Sequence, residues 1–165
     1  MTKILFICLG NICRSPLAEA VMKHIVNKHG VSDSFIIDSA GIGPWHIGER
    51  PDRRMVEAAR QRGYIMQHFG RQVNSDDFAI FDLIIGMDDS NIDDLHDIAP
   101  DSESTQKIHK MTEFITDDFI AKYSPKTIDC VPDPYYGGAA GFAYAIYVIE
   151  NACEGLFNII MNKKE

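Results

Sequence analysis

The sequence predicts an α/β domain in which helices cover both faces of a parallel sheet. Short apolar runs alternate along the chain with amphipathic segments, and this alternation is typical of right-handed strand–helix–strand units. The first run, Lys3–Ile7 (KILFI), has the branched apolar character of a strand that is buried on both faces. A chain of 165 residues with 45% hydrophobic residues is large enough for one core. We therefore predict a single three-layer domain that spans residues 1–165.

Glycine, proline and serine mark the boundaries of the predicted elements. Ser15 and Pro16 open the first helix, and Gly30 ends it. The elements that follow are, in chain order, a strand in SFIIDSAG, a helix in PDRRMVEAARQRG, a strand in FDLIIGM, the polar segment DDSNIDDLHDI, a short strand in KIHKM and a helix from Gly141 to Met161. The predicted sheet therefore has four strands, and ligands of such sheets bind at the carboxyl ends of the strands.

The charge balance argues against several classes of function. The chain carries 16 Lys and Arg against 24 Asp and Glu, a net charge of −8, so no broad basic face is expected for nucleic acid or an anionic membrane. No apolar run approaches the ~18 residues of a membrane span, and the N-terminus lacks the features of a secretory signal. We therefore expect a cytoplasmic protein that binds neither nucleic acid nor membrane.

The four cysteines fit neither a disulfide framework nor a zinc site. They are scattered along the chain, and Cys8 and Cys13 do not have the short spacing of zinc ligands. Neither Cys130 nor Cys153 belongs to a second ligand pair. No metal or cofactor is expected, and thiol reactivity is the remaining reason for interest in these residues.

The segment Cys8–Pro16 (CLGNICRSP) follows the first strand directly and has the composition of an anion-binding loop. Gly10 and Asn11 tolerate positive φ, so that successive amide N–H groups can point into one concavity. The following helix adds the positive end of its dipole, and Arg14 adds a planar fork of donors suited to two phosphate oxygens. These positive potentials favour the thiolate form of Cys8, which can then attack a bound phosphorus atom in line.

Two further residues complete the predicted chemistry. Ser15 can donate its hydroxyl hydrogen to the thiolate and later to the departing sulfur. A leaving alkoxide or phenoxide needs a proton, and Asp133 in VPDPYYGG, between two prolines that stiffen its loop, is a candidate general acid. Taken singly, each feature also has an ordinary structural explanation as turn chemistry or as a small core residue. Their coincidence favours a reactive thiolate that binds an anion.

The motifs CLGNICRSP and DPYYGG, near opposite ends of the chain, resemble those of the low-molecular-weight protein tyrosine phosphatases. The likeness extends through DSAG, GPWHIG, QHFGRQV and FDLIIGMDDSN, so that it covers nearly the whole chain. The resemblance implies a four-stranded parallel sheet with flanking helices and a two-step hydrolysis through a phosphocysteine, without metal or cofactor. In this scheme Cys8 is the nucleophile, Arg14 binds the transition state, and Asp133 protonates the leaving group and then activates water.

Further residues take their expected roles from the same resemblance. Asn11 holds the loop in a strained shape, with support from Ser15, Ser39 and His68. The residues expected to bind the phosphate are Leu9, Gly10, Asn11, Ile12, Cys13, Arg14 and Ser15. The expected walls of the crevice for an aryl phosphate are Leu9, Ile12, Trp45, Tyr135 and Tyr136, with Tyr136 facing solvent.

The resemblance also implies which molecules this protein binds. They are phosphotyrosine-containing proteins or peptides as substrates, with inorganic phosphate and other oxyanions as ligands of the loop, and we expect a monomer. Cys13 is a candidate resolving thiol, able to form a disulfide with Cys8 after an oxidant has converted the thiolate to a sulfenic acid.

The segment between Met111 and Val131 looks longer than is usual in this family. It carries three acidic residues near the expected rim of the site, Asp117, Asp118 and Asp129. We predict that this segment forms an excursion beside the active site and influences partner choice.

Three alternatives stay open at this point. Thioredoxin-linked arsenate reductases share a similar loop, but they use a further cysteine pair in the middle of the chain, where residues 82–97 contain no cysteine. A bacterial protein-arginine phosphatase shares the scaffold, typically with threonine in the place of Ile12. The third alternative is a phosphate-binding module without catalysis. The presence of both Cys8 and Asp133 argues against it, because such a module needs neither a nucleophile nor an acid.

Overall fold

The computed structural model describes residues 1–123, 129–135 and 138–163, and four parallel strands form its centre. The strands are β1 (Thr2–Cys8), β2 (Phe35–Gly41), β3 (Leu83–Gly86) and β4 (Ile108–Lys110). They are hydrogen-bonded in the order β2-β1-β3-β4, and every adjacent pair is parallel. The predicted number and direction of the strands and their positions in the sequence are confirmed.

Helices connect the strands and cover the sheet. They are α1 (Arg14–Lys28), α2 (Arg53–Gln61), α3 (Asp77–Ile80), α4 (Asp89–Ile98), α5 (Ser102–Thr105), α6 (Asp117–Tyr123) and α7 (Ala139–Asn162). Short 3₁₀ helices occupy Ser32–Ser34 and Met111–Phe114. Among the described residues, no helix combines the length and the apolar character that a membrane span needs.

The central strand β1 is buried because side chains pack against both of its faces. Ile4 and Phe6 belong to the apolar cluster beneath α1 and α7, whereas Leu5 and Ile7 belong to a second cluster that includes Leu95 of α4. The two sets alternate along the strand, since successive side chains of a strand point to opposite faces of the sheet. This arrangement confirms the predicted three-layer fold with helices on both faces.

The first helix begins one residue earlier than Ser15 and Pro16 predict. Arg14 is the first helical residue, and the carbonyl of Cys13 accepts from the N–H of Leu17 at 3.2 Å. Pro16 lies within the first turn, where its missing N–H costs no intrahelical hydrogen bond. Arg14 and Ser15 are therefore held by the rigid start of α1.

The carboxyl end of β1 lies where the order of the strands reverses. β1 has β2 on one side and β3 on the other, so that Cys8 pairs with Gly41 and Ile7 pairs with Gly86. Crevices at such switch points are the usual ligand sites of open α/β sheets. The loop that follows Cys8 thus begins at the position where the sequence predicts a site.

The segment between Met111 and Val131 packs in part against α7. The N–H of Thr116 donates to Oδ1 of Asn151 at 2.9 Å, and α6 follows directly. Residues 124–128 lie outside the described part of the chain. The influence of this segment on partner choice stays a prediction.

We predict that Gly155 of α7 does not tolerate a side chain. A Cβ atom at this position would lie 1.9 Å from the carbonyl oxygen of Phe114, a backbone atom that moves only if its segment shifts. Gly155→Ala should therefore lower the free energy of unfolding by about 2 kcal/mol or more, as measured by urea denaturation.

Gly141→Ala is the matched control in the same helix. A Cβ atom there meets nothing within 4 Å, so the substitution should leave stability unchanged or raise it by up to about 1 kcal/mol. A loss below about 0.5 kcal/mol for Gly155→Ala would contradict the predicted clash.

Candidate active site

The Cys8 side chain at the end of β1 is positioned by a serine hydroxyl. Its sulfur lies 3.0 Å from Oγ of Ser15, in the first turn of α1. Nδ2 of Asn11 donates to the same Oγ at 2.8 Å, so that the hydroxyl hydrogen of Ser15 can be given to the sulfur or to the carbonyl of Ala40, which lies farther away at 3.4 Å. The arrangement suits a thiolate, because a thiolate accepts hydrogen bonds and donates none.

Asn11 has a left-handed backbone conformation that its side chain supports. Its φ of 57° is the only positive value at a non-glycine position among the described residues. Nδ2 donates to Ser15 and, at 3.0 Å, to Oγ of Ser39, while Oδ1 accepts from the N–H of Arg71 at 3.0 Å and lies 2.6 Å from Nε2 of His68. All four hydrogen-bonding positions of the amide are therefore used, and they hold the loop in place.

His68 connects the loop to a buried carboxylate. Nε2 lies 2.6 Å from Oδ1 of Asn11, and Nδ1 lies 3.0 Å from Oε2 of Glu19, so that each ring nitrogen faces an oxygen atom. Burial disfavours the charge of Glu19, but hydrogen bonds from His68, Lys23 and Ser39 outweigh it and lower the pKa of the carboxyl. Glu19 thus holds the ring of His68 in place against Asn11.

The same region contains a group of potential metal ligands. Glu19, Asp38 and His68 each place one ligand atom within 4.8 Å of the others. Nε of Arg71 donates to Asp38 at 3.0 Å, and both nitrogens of His68 are already used. Arg71 and His68 are therefore already the partners of these carboxylates, and the group is explained as part of the support of the loop.

The backbone of the loop offers hydrogen-bond donors to a ligand. Within the described residues, none of the amide N–H groups of residues 9 to 13 donates to a backbone or side-chain acceptor. Successive free N–H groups around a residue in the left-handed region form a concavity that binds anions. The start of α1 adds the positive end of the helix dipole at the same place.

Arg14 is buried, with one half of its guanidinium fixed by the protein. Nη1 donates to Oδ2 of Asp88 at 2.6 Å and to the carbonyl of Val131 at 3.0 Å, whereas Nη2 lies 3.6 Å from Oδ2 of Asp133. Burial disfavours the charge, but the negative charges of Cys8 and Asp88 outweigh it, so the pKa of Arg14 is raised. The other donors of the fork are left for an anion in the pocket.

Asp133 is positioned by a loop that is anchored at both ends. The N–H of Val131 donates to the carbonyl of Met87 at 2.9 Å, and the N–H of Tyr135 donates to Oδ1 of Asp133 at 3.0 Å. Nη2 of Arg54 on α2 donates to the carbonyl of Tyr135 at 2.8 Å. The second carboxylate oxygen, Oδ2, is the one near Arg14.

These elements enclose a pocket of about 320 Å³. Its walls are formed by Cys8, Leu9, Gly10, Ile12, Cys13, Arg14, Trp45, His46, Asp133 and Tyr135. Trp45 is 62% exposed, and a Cβ atom at Gly43 would collide with its ring, so that the indole lies against the backbone at the mouth of the pocket. The pocket is thus charged and polar beside Cys8 and apolar at its entrance.

The structure brings together nearly all of the residues that the sequence singles out. Cys8, Arg14 and Asp133 line one pocket with Leu9, Ile12, Trp45 and Tyr135, and the predicted supporting residues Ser15, Ser39 and His68 surround Asn11. Tyr136 lies outside the described residues.

Sequence reasoning missed several residues that position the site. Asp88 holds Arg14, Glu19 holds His68, Arg54 holds the loop of Asp133, and His46 lines the pocket. Asp88 lies two residues after the end of β3, so its place at the carboxyl edge of the sheet is a signal that could have found it. Arg54 and His46 carry no comparable signal.

The model of one protein family, the low molecular weight phosphotyrosine protein phosphatases, matches residues 3–165. The chain belongs to this family. Among the relatives of this phosphatase, the low molecular weight phosphotyrosine protein phosphatase of Schizosaccharomyces pombe is 42% identical over 146 residues, which are 86% of this chain and 88% of the relative.

Solved structures agree with this assignment. A protein tyrosine phosphatase from Entamoeba histolytica, crystallised with Hepes in its active site, is 42% identical with a TM-score of 0.90, and the match covers 100% of both chains. A Drosophila arginine phosphatase is 34% identical with a TM-score of 0.84, and the match covers 96% of this chain and 98% of the other. The fold and the family of this phosphatase confirm what the motifs predict.

We predict that Asn11→Ala and Asn11→Gly separate the two roles of Asn11 in this phosphatase. Both variants lose the four side-chain hydrogen bonds, so both should lower kcat/KM for p-nitrophenyl phosphate about tenfold or more through misplacement of the loop. Of the two variants, only Asn11→Ala has a Cβ atom in the left-handed conformation. Its free energy of unfolding, measured by urea denaturation, should therefore be about 1 kcal/mol lower than that of Asn11→Gly. Equal stabilities would contradict the backbone argument, and unchanged kcat/KM would contradict the positioning role.

Proposed function

We propose that this enzyme hydrolyses phosphotyrosine in proteins by transferring the phosphoryl group to Cys8. The observation that best supports this proposal is the convergence of the Cys8 sulfur, the Arg14 guanidinium and the Asp133 carboxyl on one pocket of about 320 Å³. In the first step the thiolate attacks phosphorus, the sulfur–phosphorus bond forms, and the bond from phosphorus to the phenolic oxygen breaks. Asp133 gives its proton to that oxygen, so that tyrosine leaves as a neutral phenol.

The second step regenerates the enzyme. A water molecule attacks the phosphorus of the phosphocysteine and gives a proton to Asp133, which is now a carboxylate. The sulfur–phosphorus bond breaks, inorganic phosphate leaves, and the sulfur returns to the thiolate beside the Ser15 hydroxyl, 3.0 Å away. No metal or cofactor takes part in either step of this proposal.

The loop and Arg14 supply the electrostatic stabilisation in both steps. Negative charge spreads over the equatorial oxygens of the transferring phosphoryl group, and fixed N–H donors around these oxygens lower the barrier. Asp88 and the Val131 carbonyl hold Nη1 of Arg14, and Nη2 lies 3.6 Å from Oδ2 of Asp133, so that the donors Nε and Nη2 can turn to two oxygens of a bound phosphate. The same donors explain why inorganic phosphate and related oxyanions are expected as ligands.

The entrance of the pocket fits an aromatic substrate. Leu9, Ile12, Trp45 and Tyr135 surround it with apolar and aromatic surface, which suits a flat phenyl ring. Tyrosine is also long enough to place its phosphate beside a deep nucleophile. We therefore propose phosphotyrosine segments of proteins as the substrates.

Protein-arginine phosphatase activity is a second candidate, supported by the Drosophila arginine phosphatase that shares the fold at 34% identity. The apolar side chain of Ile12 in the wall of the pocket favours the aryl substrate. A direct comparison of kcat/KM for a phosphotyrosine and a phosphoarginine peptide of the same sequence decides between them, and preference for phosphoarginine would overturn the proposed substrate.

The free thiols and the charge of the chain support two further proposals. All four cysteines are free, as is usual in a reducing compartment, so we propose a cytoplasmic location. The net charge of −8 disfavours self-association, so we propose that the enzyme is a monomer.

The leaving group provides a sharp test of the role of Asp133. We predict that Asp133→Asn, which keeps the shape and the acceptor for the Tyr135 N–H, lowers kcat for a phosphotyrosine peptide about 10²- to 10⁴-fold. The loss should be smaller for p-nitrophenyl phosphate, because nitrophenolate leaves more easily without a proton. Equal losses on the two substrates would contradict the role of general acid.

Cys8→Ser is the control for the covalent step. It should abolish turnover of both substrates while the oxyanion still binds, so that millimolar phosphate continues to raise Tm. Residual turnover that responds to Asp133→Asn would show that another group is the nucleophile.

We also propose that Cys13 protects Cys8 from irreversible oxidation. Both thiols line the same pocket, and burial together with the charges of Asp52 and Cys8 raises the pKa of Cys13, so that it stays a neutral thiol while Cys8 reacts. Peroxide converts Cys8 to a sulfenic acid, and the Cys13 sulfur then displaces hydroxide to form a disulfide, with loss of its proton as water forms.

Recovery after oxidation tests this proposal. We predict that native enzyme inactivated by peroxide regains most of its activity with dithiothreitol, whereas Cys13→Ser regains a much smaller fraction, because its sulfenic acid is oxidised further. Mass spectrometry should show loss of two hydrogens in the native protein and added oxygen in the variant. Equal recovery would refute the role of Cys13.

A further inference from the structure

The rim between the crevice and α2 carries a cluster of positive charge. Arg50, Arg53 and Arg54 line one open groove of about 570 Å³, whose apolar surface includes Val56 and Met66. The chain as a whole has a net charge of −8, so the positive charge of this groove is of the minority sign. An exposed charge of the minority sign beside an active site indicates a ligand of complementary charge.

The acidic residues near the groove are already paired with other arginines. Asp52 binds Arg54, with Nη2 and Oδ2 3.0 Å apart, and Glu57, which also lines the groove, binds Arg60 at 2.8 Å. These pairs leave no carboxylate for the other two arginines of the groove.

Arg50 and Arg53 are the two arginines of the groove that have no carboxylate partner in the part of the chain that the structure describes. Both are exposed, and neither side chain forms an ion pair or a hydrogen bond with any residue in the described ranges. Arg50 lies over the ring of Phe69, with its guanidinium carbon 5.2 Å from the ring centroid, and this contact leaves the guanidinium edge open to a partner. Arg53 is the first residue of α2 and contributes its charge at the same rim.

The backbone places these two side chains close to the phosphate loop. The N–H of Asp52 donates to the carbonyl of Ile12 at 2.8 Å, so the segment that carries the arginines touches the loop itself. At 3.8 Å between successive Cα atoms, Arg53 and Arg50 lie within about 4 Å and about 8 Å of Asp52 along the chain. A polypeptide with its phosphotyrosine in the pocket, extended at about 3.3 Å per residue, passes this rim within its next few residues.

We propose that Arg50 and Arg53 bind acidic residues that flank phosphotyrosine in the substrate protein. This inference rests on the proposed phosphotyrosine hydrolysis and narrows its substrate class to segments with Asp or Glu within a few residues of the tyrosine. The binding is an exposed charge–charge interaction, so it favours capture of the substrate and weakens as salt screens it. It leaves the chemistry at Cys8 unchanged.

Two phosphotyrosine peptides that differ only in flanking Glu or Gln residues test the proposal. For the native enzyme at low salt, kcat/KM should be about three- to tenfold higher for the Glu peptide. In the double variant Arg50→Gln/Arg53→Gln this ratio should fall close to one, with most of the change in KM. In 0.5 M NaCl the native ratio should also approach one.

Two matched variants show whether charge at this rim is responsible. Arg50→Lys/Arg53→Lys keeps the charges and should keep most of the preference. Lys28→Gln removes an exposed positive charge of α1 that does not line the groove, and it should keep the full ratio. Hydrolysis of p-nitrophenyl phosphate, which does not reach the rim, should stay within about twofold in all of these variants.

The outcomes separate this inference from the proposed function. A native enzyme that hydrolyses p-nitrophenyl phosphate but shows no preference for the Glu peptide, or a double Gln variant that keeps the preference, would overturn the inference alone. A native enzyme that hydrolyses neither p-nitrophenyl phosphate nor the phosphotyrosine peptides would overturn the proposed function. Binding of the two peptides to Cys8→Ser, with and without the Gln substitutions, measures the same preference without turnover, and equal affinity for the two peptides would also overturn the inference.

Discussion

The amide of Asn11 makes the interactions on which the rest of the active site depends. A left-handed conformation at a residue with a Cβ is unfavourable in isolation, and here four hydrogen bonds from three separate parts of the chain hold it in place. In the loop that is held in this way, the N–H groups of residues 9 to 13 have no acceptor among the described residues, and the hydroxyl of Ser15 is fixed beside the sulfur. The loop is therefore organised before a phosphate binds, so that binding does not have to offset the entropy cost of ordering the loop.

The site also shows how a protein keeps several charges in a confined space. Arg14 is buried with Asp88 as its ion-pair partner, while the sulfur of Cys8 and the nearby Asp133 are the groups to which we assign the chemistry. Burial of a charge is tolerated only when partners and hydrogen bonds compensate for the lost hydration. The arrangement places fixed positive charge where the phosphoryl group gains negative charge, and the fixed pair with Asp88 keeps that guanidinium in position throughout the reaction.

Much of this organisation is visible in the sequence because its signals are local. The apolar run of β1, the glycine and asparagine of the loop, and the serine and proline at the start of α1 lie within sixteen residues of one another. The helices α3 and α5 were not predicted, since four residues are too few to show a helical period. His68 and Ser39 entered only through the family resemblance, because a single polar residue in a loop or strand carries no periodic signal.

The residues that were missed act across long distances in the sequence. Arg14 and Asp88 are 74 positions apart, and the bond from Arg54 to the carbonyl of Tyr135 joins residues 81 positions apart. Such pairs are created by the packing of α2 and β3 around β1, and neither partner is unusual in its own segment. Glu19 is different: it lies four residues after Ser15 on α1, so the helical period alone places both on the side of the helix that faces the loop.

Asp88 illustrates how one side chain can serve two unrelated purposes. Its Oδ1 accepts from the N–H of Asn91 and caps the start of α4, while its Oδ2 binds Arg14. Serine or asparagine at this position would still cap the helix, so a descendant of this chain could lose the ion pair and remain well folded. The identity of the residue at position 88 therefore indicates whether a related protein has kept the ion pair with Arg14 or only the cap of the helix. In a duplicated copy that evolves toward binding alone, Asp88 can be replaced while the residues of the apolar core stay unchanged.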